Sequence, residues 1–171
     1  MSTKWEIDSV HSEVAFKVKH MMISTVRGHF DNFNVLVETE GDNFENAKIS
    51  VEIDVSSINT KNSDRDNHLK SDDFFNADKF GKMTFVSKSL DGDKLKGDLT
   101  IRDTTKELTL DIDYNGIAVD PYGQTKAGFE LAGEISRKDF GLTWNAVTEA
   151  GSVVVSDKVK IVIDAQMIKK A

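Results

Sequence analysis

Three side chains with complementary hydrogen-bonding chemistry, Arg65, Asp66 and His68, lie shortly before the paired rings of Phe74 and Phe75. A guanidinium group only donates hydrogen bonds, a carboxylate only accepts them, and an imidazole can do either. Such a set beside aromatic rings could hold the polar end of a molecule whose remainder is apolar. The alternative is structural: Arg65 pairs with a carboxylate, and Asp66 caps a short helix.

Histidines are the other candidates for chemistry, as metal ligands or as a general base. The chain contains four, His11, His20, His29 and His68. They form neither an H-x-H nor an H-E-x-x-H motif, and cysteine is absent, so the sequence predicts no metal site. Glycine motifs for phosphates or dinucleotides and a G-x-S-x-G nucleophile motif are also absent, so no cofactor is predicted.

The elements that must position these groups are strands, because apolar and polar residues alternate with a period of two. Eight stretches show this pattern: 12–19, 28–38, 47–55, 83–90, 94–101, 107–115, 124–136 and 158–168. Strands with one apolar face form an antiparallel sheet, and eight of them hide that face most simply by closing into a barrel. An eight-stranded barrel can enclose one small ligand.

Two segments interrupt the alternation. Residues 20–25 are short and largely apolar, which predicts a turn that crosses one end of the barrel. Residues 56–80 are longer and contain Ser63 followed by Asp66, the spacing of a capping box, which predicts a short helix at 64–71. A connection of this length usually has a function, such as a lid or an entrance.

Turn residues mark the joints between the predicted strands. Gly41 and Gly92 each lie in a predicted turn, Asn115-Gly116 is predicted to end the sixth strand, and the only proline lies in the turn Pro121-Tyr122-Gly123. A further turn is predicted before Phe140-Gly141, where Arg137 and Asp139 are interpreted as a bracing ion pair.

Composition limits the possible partners and location. The 171 residues predict a single domain, 1–171, and the formal net charge of -7 disfavours nucleic acid and anionic lipid headgroups. The sequence begins without an apolar run that could serve as a signal peptide or a membrane span. We therefore expect a cytoplasmic protein without stable membrane insertion.

Several motifs, in order along the whole chain, resemble the YceI-like family. They are Trp5-x-Ile7-Asp8-x-x-His11-Ser12-x-Val14-x-Phe16, Gly28-x-Phe30, Ser57-Ile58-x-Thr60, Arg65-Asp66-x-His68-Leu69-x-Ser71-x-Asp73-Phe74-Phe75, Gly97-x-Leu99-Thr100-Ile101-x-x-x-Thr105-Lys106 and Arg137-x-Asp139-Phe140-Gly141. The sequence departs from the family pattern at Gly81, where a proline is common, and in lacking the signal peptide of many members.

The resemblance implies an all-β fold, an eight-stranded antiparallel lipocalin-like barrel with a short helical insert. It also implies non-catalytic binding of a long-chain isoprenoid or related amphiphilic lipid, for carriage, storage or sensing, and suggests a homodimer and a role in the stress response. The apolar strand faces, the phenylalanines and the polar segment give the candidate ligand-binding residues. These are Phe16, Val18, His20, Met22, Phe30, Phe33, Arg65, Asp66, His68, Phe74, Phe75, Phe85, Leu99, Ile101, Phe129 and Phe140.

Two other functions remain open on the sequence. One is an enzyme whose barrel holds a small substrate, with His20, His29 or His68 as the general base. The other is an interaction protein whose barrel is filled by its own side chains. The absence of a recognisable nucleophile or metal motif favours the lipid-binding hypothesis over the enzyme, so we expect no catalytic residue.

Overall fold

Strands make up most of the protein, for which a computed structural model describes residues 2–21, 23–142 and 155–170. The single α-helix in these ranges, α1, spans Ser63–Lys70. The strands are β1 (Ser2–Ile7), β2 (Glu13–His20), β3 (Ser24–Phe30), β4 (Phe33–Glu40), β5 (Asn43–Asp54), β6 (Ile58–Asn59), β7 (Lys82–Asp91), β8 (Lys94–Ile101), β9 (Thr104–Val119), β10 (Thr125–Ser136) and β11 (Val155–Lys169).

All strand pairs are antiparallel, in the order β1-β4-β5-β7-β8-β9-β10-β11-β2-β3-β6. The sheet closes because β1 pairs with β4 on one side and with β11 on the other. Strand β2 continues along β11 where β1 leaves it, so β1 and β2 together occupy one position of the ring. The prediction of a closed, eight-stranded antiparallel barrel is therefore confirmed.

The first strand and two strand boundaries differ from the prediction. Strand β1 has no counterpart among the predicted strands, and the stretch 28–38 is two strands separated by Asp31 and Asn32. Strand β9 continues through Asn115-Gly116 to Val119, so the predicted end of this strand is wrong. Gly116 adopts a positive φ of 101° at a break in register between β9 and β10, which makes this pair of residues a β-bulge.

The predicted capping box at the start of α1 is also wrong. Asn62 caps the helix, because its side-chain oxygen accepts a hydrogen bond from the Arg65 main-chain N–H at 3.0 Å. Asp66 instead accepts hydrogen bonds from the main-chain N–H of Thr60 at 2.9 Å and from its hydroxyl at 2.6 Å. These bonds tie the helix to the end of β6.

Alternation along the strands places the apolar core inside the barrel. Trp5, Leu95 and Met167 are completely buried, although they belong to three separate strands. The Trp5 indole N–H donates to the Thr39 hydroxyl at 3.0 Å, so the one polar atom of this ring is satisfied within the barrel. The side chain of Trp5 therefore anchors β1 to β4, the pair that helps to close the ring.

A charged cluster joins the end of β1 to the β9–β10 connection. The ammonium group of Lys126 lies 2.8 Å from Asp8 and 3.3 Å from Asp120, and His11 Nδ1 lies 2.7 Å from Asp8. The hydrogen bond from Lys126, together with the bond to His11, lowers the pKa of Asp8 from 3.8 to about 2 despite some opposing desolvation. The cluster thus stabilises the fold only while Asp8 is ionised.

We expect Asp8→Asn to lower the free energy of unfolding by about 1–2 kcal/mol at pH 7, because charge-assisted hydrogen bonds are lost. Since the folded pKa of Asp8 lies below the unfolded value, its contribution is complete above pH 3.8 and disappears as the pH falls through about 2. Urea denaturation between pH 7 and pH 2 measures both effects. Parallel pH profiles of the wild type and the variant would contradict this role for Asp8.

Candidate functional site

A cavity of about 170 Å³ lies inside the barrel and is surrounded by inward-facing side chains of the strands. Among the described residues, its lining is apolar except for Arg137. Residues from the early strands, the middle strands and β11 all contribute, so the cavity follows the barrel interior and is not confined to one wall. Its lining includes Val14, Val35, Val37, Ile49, Met83, Leu95, Leu110, Ile112, Leu131, Ile163, Ala165 and Met167.

Nine of the predicted ligand-binding residues line this cavity. They are Phe16, Val18, Phe30, Phe74, Phe75, Phe85, Leu99, Ile101 and Phe129. Most lie on the inward face of a strand, where the alternation of side chains predicts them. Phe74 and Phe75 are different, because they follow α1 in a loop and reach the cavity through tertiary packing.

Six other predicted residues do not line the cavity, and Met22 lies outside the described residues. His20 pairs with Ser24 at the tip of the β2–β3 hairpin. Phe33 pairs with Ile53 at the start of β4, and Phe140 is buried in the apolar core beside the cavity lining. The remaining three are Arg65, Asp66 and His68.

The predicted polar mouth around α1 is a hydrogen-bonded brace and does not face the cavity. Arg65 donates from Nε to the Thr60 hydroxyl at 2.8 Å and from Nη2 to the Thr60 carbonyl oxygen at 2.7 Å. His68 Nε2 lies 2.8 Å from Asp73, and its ring packs edge-on against Phe74 with 5.1 Å between centroids. The three side chains thus have a structural role, but not in the predicted form, because Arg65 bonds to Thr60 instead of a carboxylate and Asp66 does not cap the helix.

The insert closes one end of the cavity with aromatic rings, and we call this end the helix end. Phe75 packs edge-on against Phe30 at 6.3 Å between centroids. Arg102 fixes the loop that precedes Phe75. Its guanidinium donates to the carbonyl oxygen of Phe74 at 3.2 Å and to the Asp72 carboxylate at 3.3 Å. Leu69 of α1 completes the apolar closure.

Arg137 is the one charged residue that the structure describes in the lining, and its role differs from the predicted bracing ion pair. Only 3% of its surface is exposed. The guanidinium donates to the carbonyl oxygens of Leu142 at 2.6 Å, Ser156 at 2.9 Å and Val155 at 3.2 Å. Burial lowers the pKa of Arg137, but a guanidinium keeps its charge in proteins. Arg137 thus joins the chain after β10 to the start of β11.

The predicted crossing turn does not cover the barrel. Among its described residues, Ile23 is 84% exposed, and its N–H donates to the His20 carbonyl oxygen at 3.2 Å in a tight hairpin. His29, on the neighbouring strand, lies 2.8 Å from Asp31. In the described ranges no group of three or more His, Cys, Asp or Glu side chains is arranged to hold a metal ion.

Two glycines of the recognised motifs allow aromatic rings to lie against the sheet. A Cβ atom on Gly28 would lie 2.4 Å from the Phe16 ring, and one on Gly97 would lie 2.5 Å from the Phe85 ring. Both rings line the cavity, so each glycine makes room for one part of its wall. This contact explains why glycine is suited to these two strand positions, where it otherwise weakens a strand.

The described residues thus define a closed antiparallel barrel around an apolar cavity, in which the one polar side chain of the lining, that of Arg137, is hydrogen-bonded. Comparison with known sequences gives the family. The chain belongs to the YceI-like family, since the profile described as "YceI-like domain" matches residues 5–167. No helix within the described residues is long and apolar enough to span a membrane.

Relatives and solved structures agree with this assignment. UPF0312 protein SAS2572 of Staphylococcus aureus is 43% identical over 165 residues, which cover 96% of each chain. The Campylobacter jejuni YCEI protein structure has a TM-score of 0.76 and 36% identity, covering 96% of this chain and 97% of that one. Burkholderia cenocepacia BcnA, at 21% identity, shares the fold with a TM-score of 0.80 over 94% of this chain and 98% of its own.

Proposed function

We propose that this protein binds the hydrocarbon chain of an isoprenoid or related amphiphilic lipid inside its barrel, without catalysis. The observation that carries the proposal is the cavity lining, whose described residues are apolar, apart from the bonded Arg137, from the core strands to the aromatic rings of the insert. A binding domain from Saccharophagus degradans is described as polyisoprenoid binding, and its fold matches with a TM-score of 0.75 at 15% identity, over 97% of this chain and 98% of that one.

The energetics require a ligand of several isoprene units. Burial of one five-carbon unit is worth about 4 kcal/mol at ~0.8 kcal/mol per carbon. Association costs about 4–15 kcal/mol in lost translational and rotational freedom. One unit therefore gives little net affinity, whereas a chain of several units exceeds the cost.

The present cavity volume implies that a long chain must displace side chains on entry. Cavities of about 150 Å³ with similar walls accommodate a molecule the size of benzene, and this cavity measures about 170 Å³. Phe74 and Phe75 border the space but lie on a loop fixed by hydrogen bonds, so the adjustment must come from other side chains. Flexible Met83 and Met167 also border the space and can adapt to an irregular chain.

No observation favours the alternative enzyme, since none of the four histidines is among the cavity-lining residues. The filled-barrel alternative requires a core without space for a ligand, and the 170 Å³ cavity argues against it. Dimerisation, a cytoplasmic location, a stress-response role and the choice among carriage, storage and sensing stay predictions.

The test of the proposed function is native mass spectrometry of freshly purified protein, followed by solvent extraction. We expect an added mass of several hundred daltons that is lost on activation and is recovered in the extract as one long-chain lipid. Protein stripped of lipid should take up an added polyprenyl alcohol at a ratio of one to one. A clean apo mass, together with no uptake of polyprenyl alcohols of several lengths, would overturn the proposal.

A further inference from the structure

The barrel wall is incomplete between β5 and β7. These strands contain 12 and 10 residues, but their paired register ends at Ser50 and Val86. Beyond this point the structure shows one remaining link, from the main-chain N–H of Ile49 to the Ser87 hydroxyl at 2.8 Å. We call the unpaired part, residues 43–48 of β5 and 88–91 of β7, the seam.

A β-bulge explains why the strands separate. The register between β7 and β8 shifts between Ser87 and Ser89, next to the place where the β5–β7 ladder stops. A bulge bends its strand and increases the local twist. The β7–β8 hairpin therefore continues to pair within itself, up to Asp91 and Lys94, while it turns away from β5.

Two crevices reach the cavity wall at the seam. One, of about 610 Å³, runs between exposed Leu36 and Val86 and shares Val37 and Ile49 with the cavity lining. The other, of about 750 Å³, lies around the β7–β8 turn and shares Ile112 and Phe129 with that lining. The two crevices have Asn46 and Leu90 in common. Leu90 and Asn46 thus border both crevices, and Leu90 also packs against the apolar core that surrounds the cavity.

The opposite end of the cavity is held more firmly. At the helix end, Arg102 and the His68–Asp73 pair fix the loop that carries Phe74 and Phe75. Opening that end breaks several hydrogen bonds, whereas opening the seam requires the loss of the single Ile49–Ser87 hydrogen bond and the movement of Leu90. The seam also leaves main-chain groups of both strands without a strand partner, so little pairing opposes further separation.

We propose that the seam is the port through which the ligand chain enters and leaves the cavity, with Leu90 as its movable plug. This inference rests on the proposed function. It predicts that holding the two strands together slows exchange of the ligand but leaves the equilibrium affinity nearly unchanged, because the cavity itself is not altered.

The test introduces pairs of cysteines, which can be linked selectively because the natural sequence contains no cysteine. Lys48→Cys and Lys88→Cys place two thiols at exposed positions on opposite sides of the seam, where continued pairing would bring residues 48 and 88 together. A short bis-thiosulfonate linker joins them and is released by reduction. The matched control is Glu52→Cys with Thr84→Cys, a pair on the same two strands where the ladder is intact.

Stopped-flow fluorescence with retinol, an isoprenoid alcohol, measures uptake and release. We expect the linked seam pair to exchange retinol at least tenfold more slowly, with a Kd within about threefold of the reduced form. The linked control pair should exchange at the wild-type rate. Unchanged exchange rates in the linked seam pair would overturn the proposal that the seam is the port. Equal slowing of exchange in both linked pairs would also overturn it.

A second variant covers the case in which the linked protein does not fold. Leu90→Ala shortens the plug, and we expect retinol release to become at least threefold faster than in the wild type. The outward-facing Leu36→Ala, on the rim of the same crevice, should leave the rate unchanged. Equal release rates in the wild type and Leu90→Ala would overturn the proposal that the seam is the port. Failure of the wild type to bind retinol or any polyprenyl alcohol would overturn the proposed function itself.

Discussion

Ala165→Phe is expected to reduce the affinity for a polyprenyl lipid at least tenfold, which corresponds to about 1.4 kcal/mol. Ala165 is 8% exposed, lies on β11 opposite Phe129 and contributes to the cavity lining. A ring at this position extends into the 170 Å³ space and competes with the ligand chain for it. Isothermal titration with a polyprenyl alcohol measures the loss.

The control for this substitution is Ala132→Phe, because Ala132 is exposed on the outer face of neighbouring β10. We expect Ala132→Phe to bind lipid like the wild type. Since the new ring of Ala165→Phe fills existing space, its free energy of unfolding should change by less than the ~1–3 kcal/mol typical of overpacking a full core. Full lipid affinity in a folded Ala165→Phe protein would contradict the assignment of the cavity as the binding site.

Arg137→Met is expected to lower the free energy of unfolding by about 3–5 kcal/mol, the range found when one partner of a buried charged interaction is removed. Three main-chain carbonyl oxygens, of Leu142, Val155 and Ser156, lose this donor. Methionine has a similar reach and an apolar tip, so the cavity lining remains while the hydrogen bonds disappear. Urea denaturation gives the change from the midpoint and the slope.

Arg137→Lys separates charge from geometry in the same experiment. A lysine keeps the positive charge but cannot donate in the planar, multiple pattern of a guanidinium. We therefore expect Arg137→Lys to recover less than half of the stability lost in Arg137→Met. Wild-type stability in either variant would show that the carbonyl contacts contribute little.

The alternation of apolar and polar residues in the sequence was sufficient to predict the barrel and most of the predicted residues that line its cavity. Phe16, Phe30, Phe85 and Phe129 line the cavity because the side chains of a strand alternate strictly between two faces. The Asn115-Gly116 pair misled the prediction because the same residues suit a hairpin turn and a β-bulge, and only the partner strand decides between them.

The direction of side chains outside the strands could not be predicted in this way. Arg65 and His68 lie in α1, shortly before two phenylalanines, but hydrogen bonds to Thr60 and Asp73 turn their polar groups toward the insert. Arg137 could have been recognised by one signal, a charged residue directly after an alternating apolar strand. Its partners lie after β10 and at the start of β11, so the contact is visible only in the fold.

The pairing of β1 with both β4 and β11 has a consequence for synthesis of the protein. Because Trp5 pairs with Val37 and with Lys169, the ring closes only when the last strand is available to the first. A nascent chain on the ribosome can form the hairpins from β4 to β10, but it exposes two open sheet edges until β11 emerges. Contacts this distant in sequence slow folding, and open edges favour association with other chains. The protein should therefore be most vulnerable to aggregation in the interval before β11 emerges.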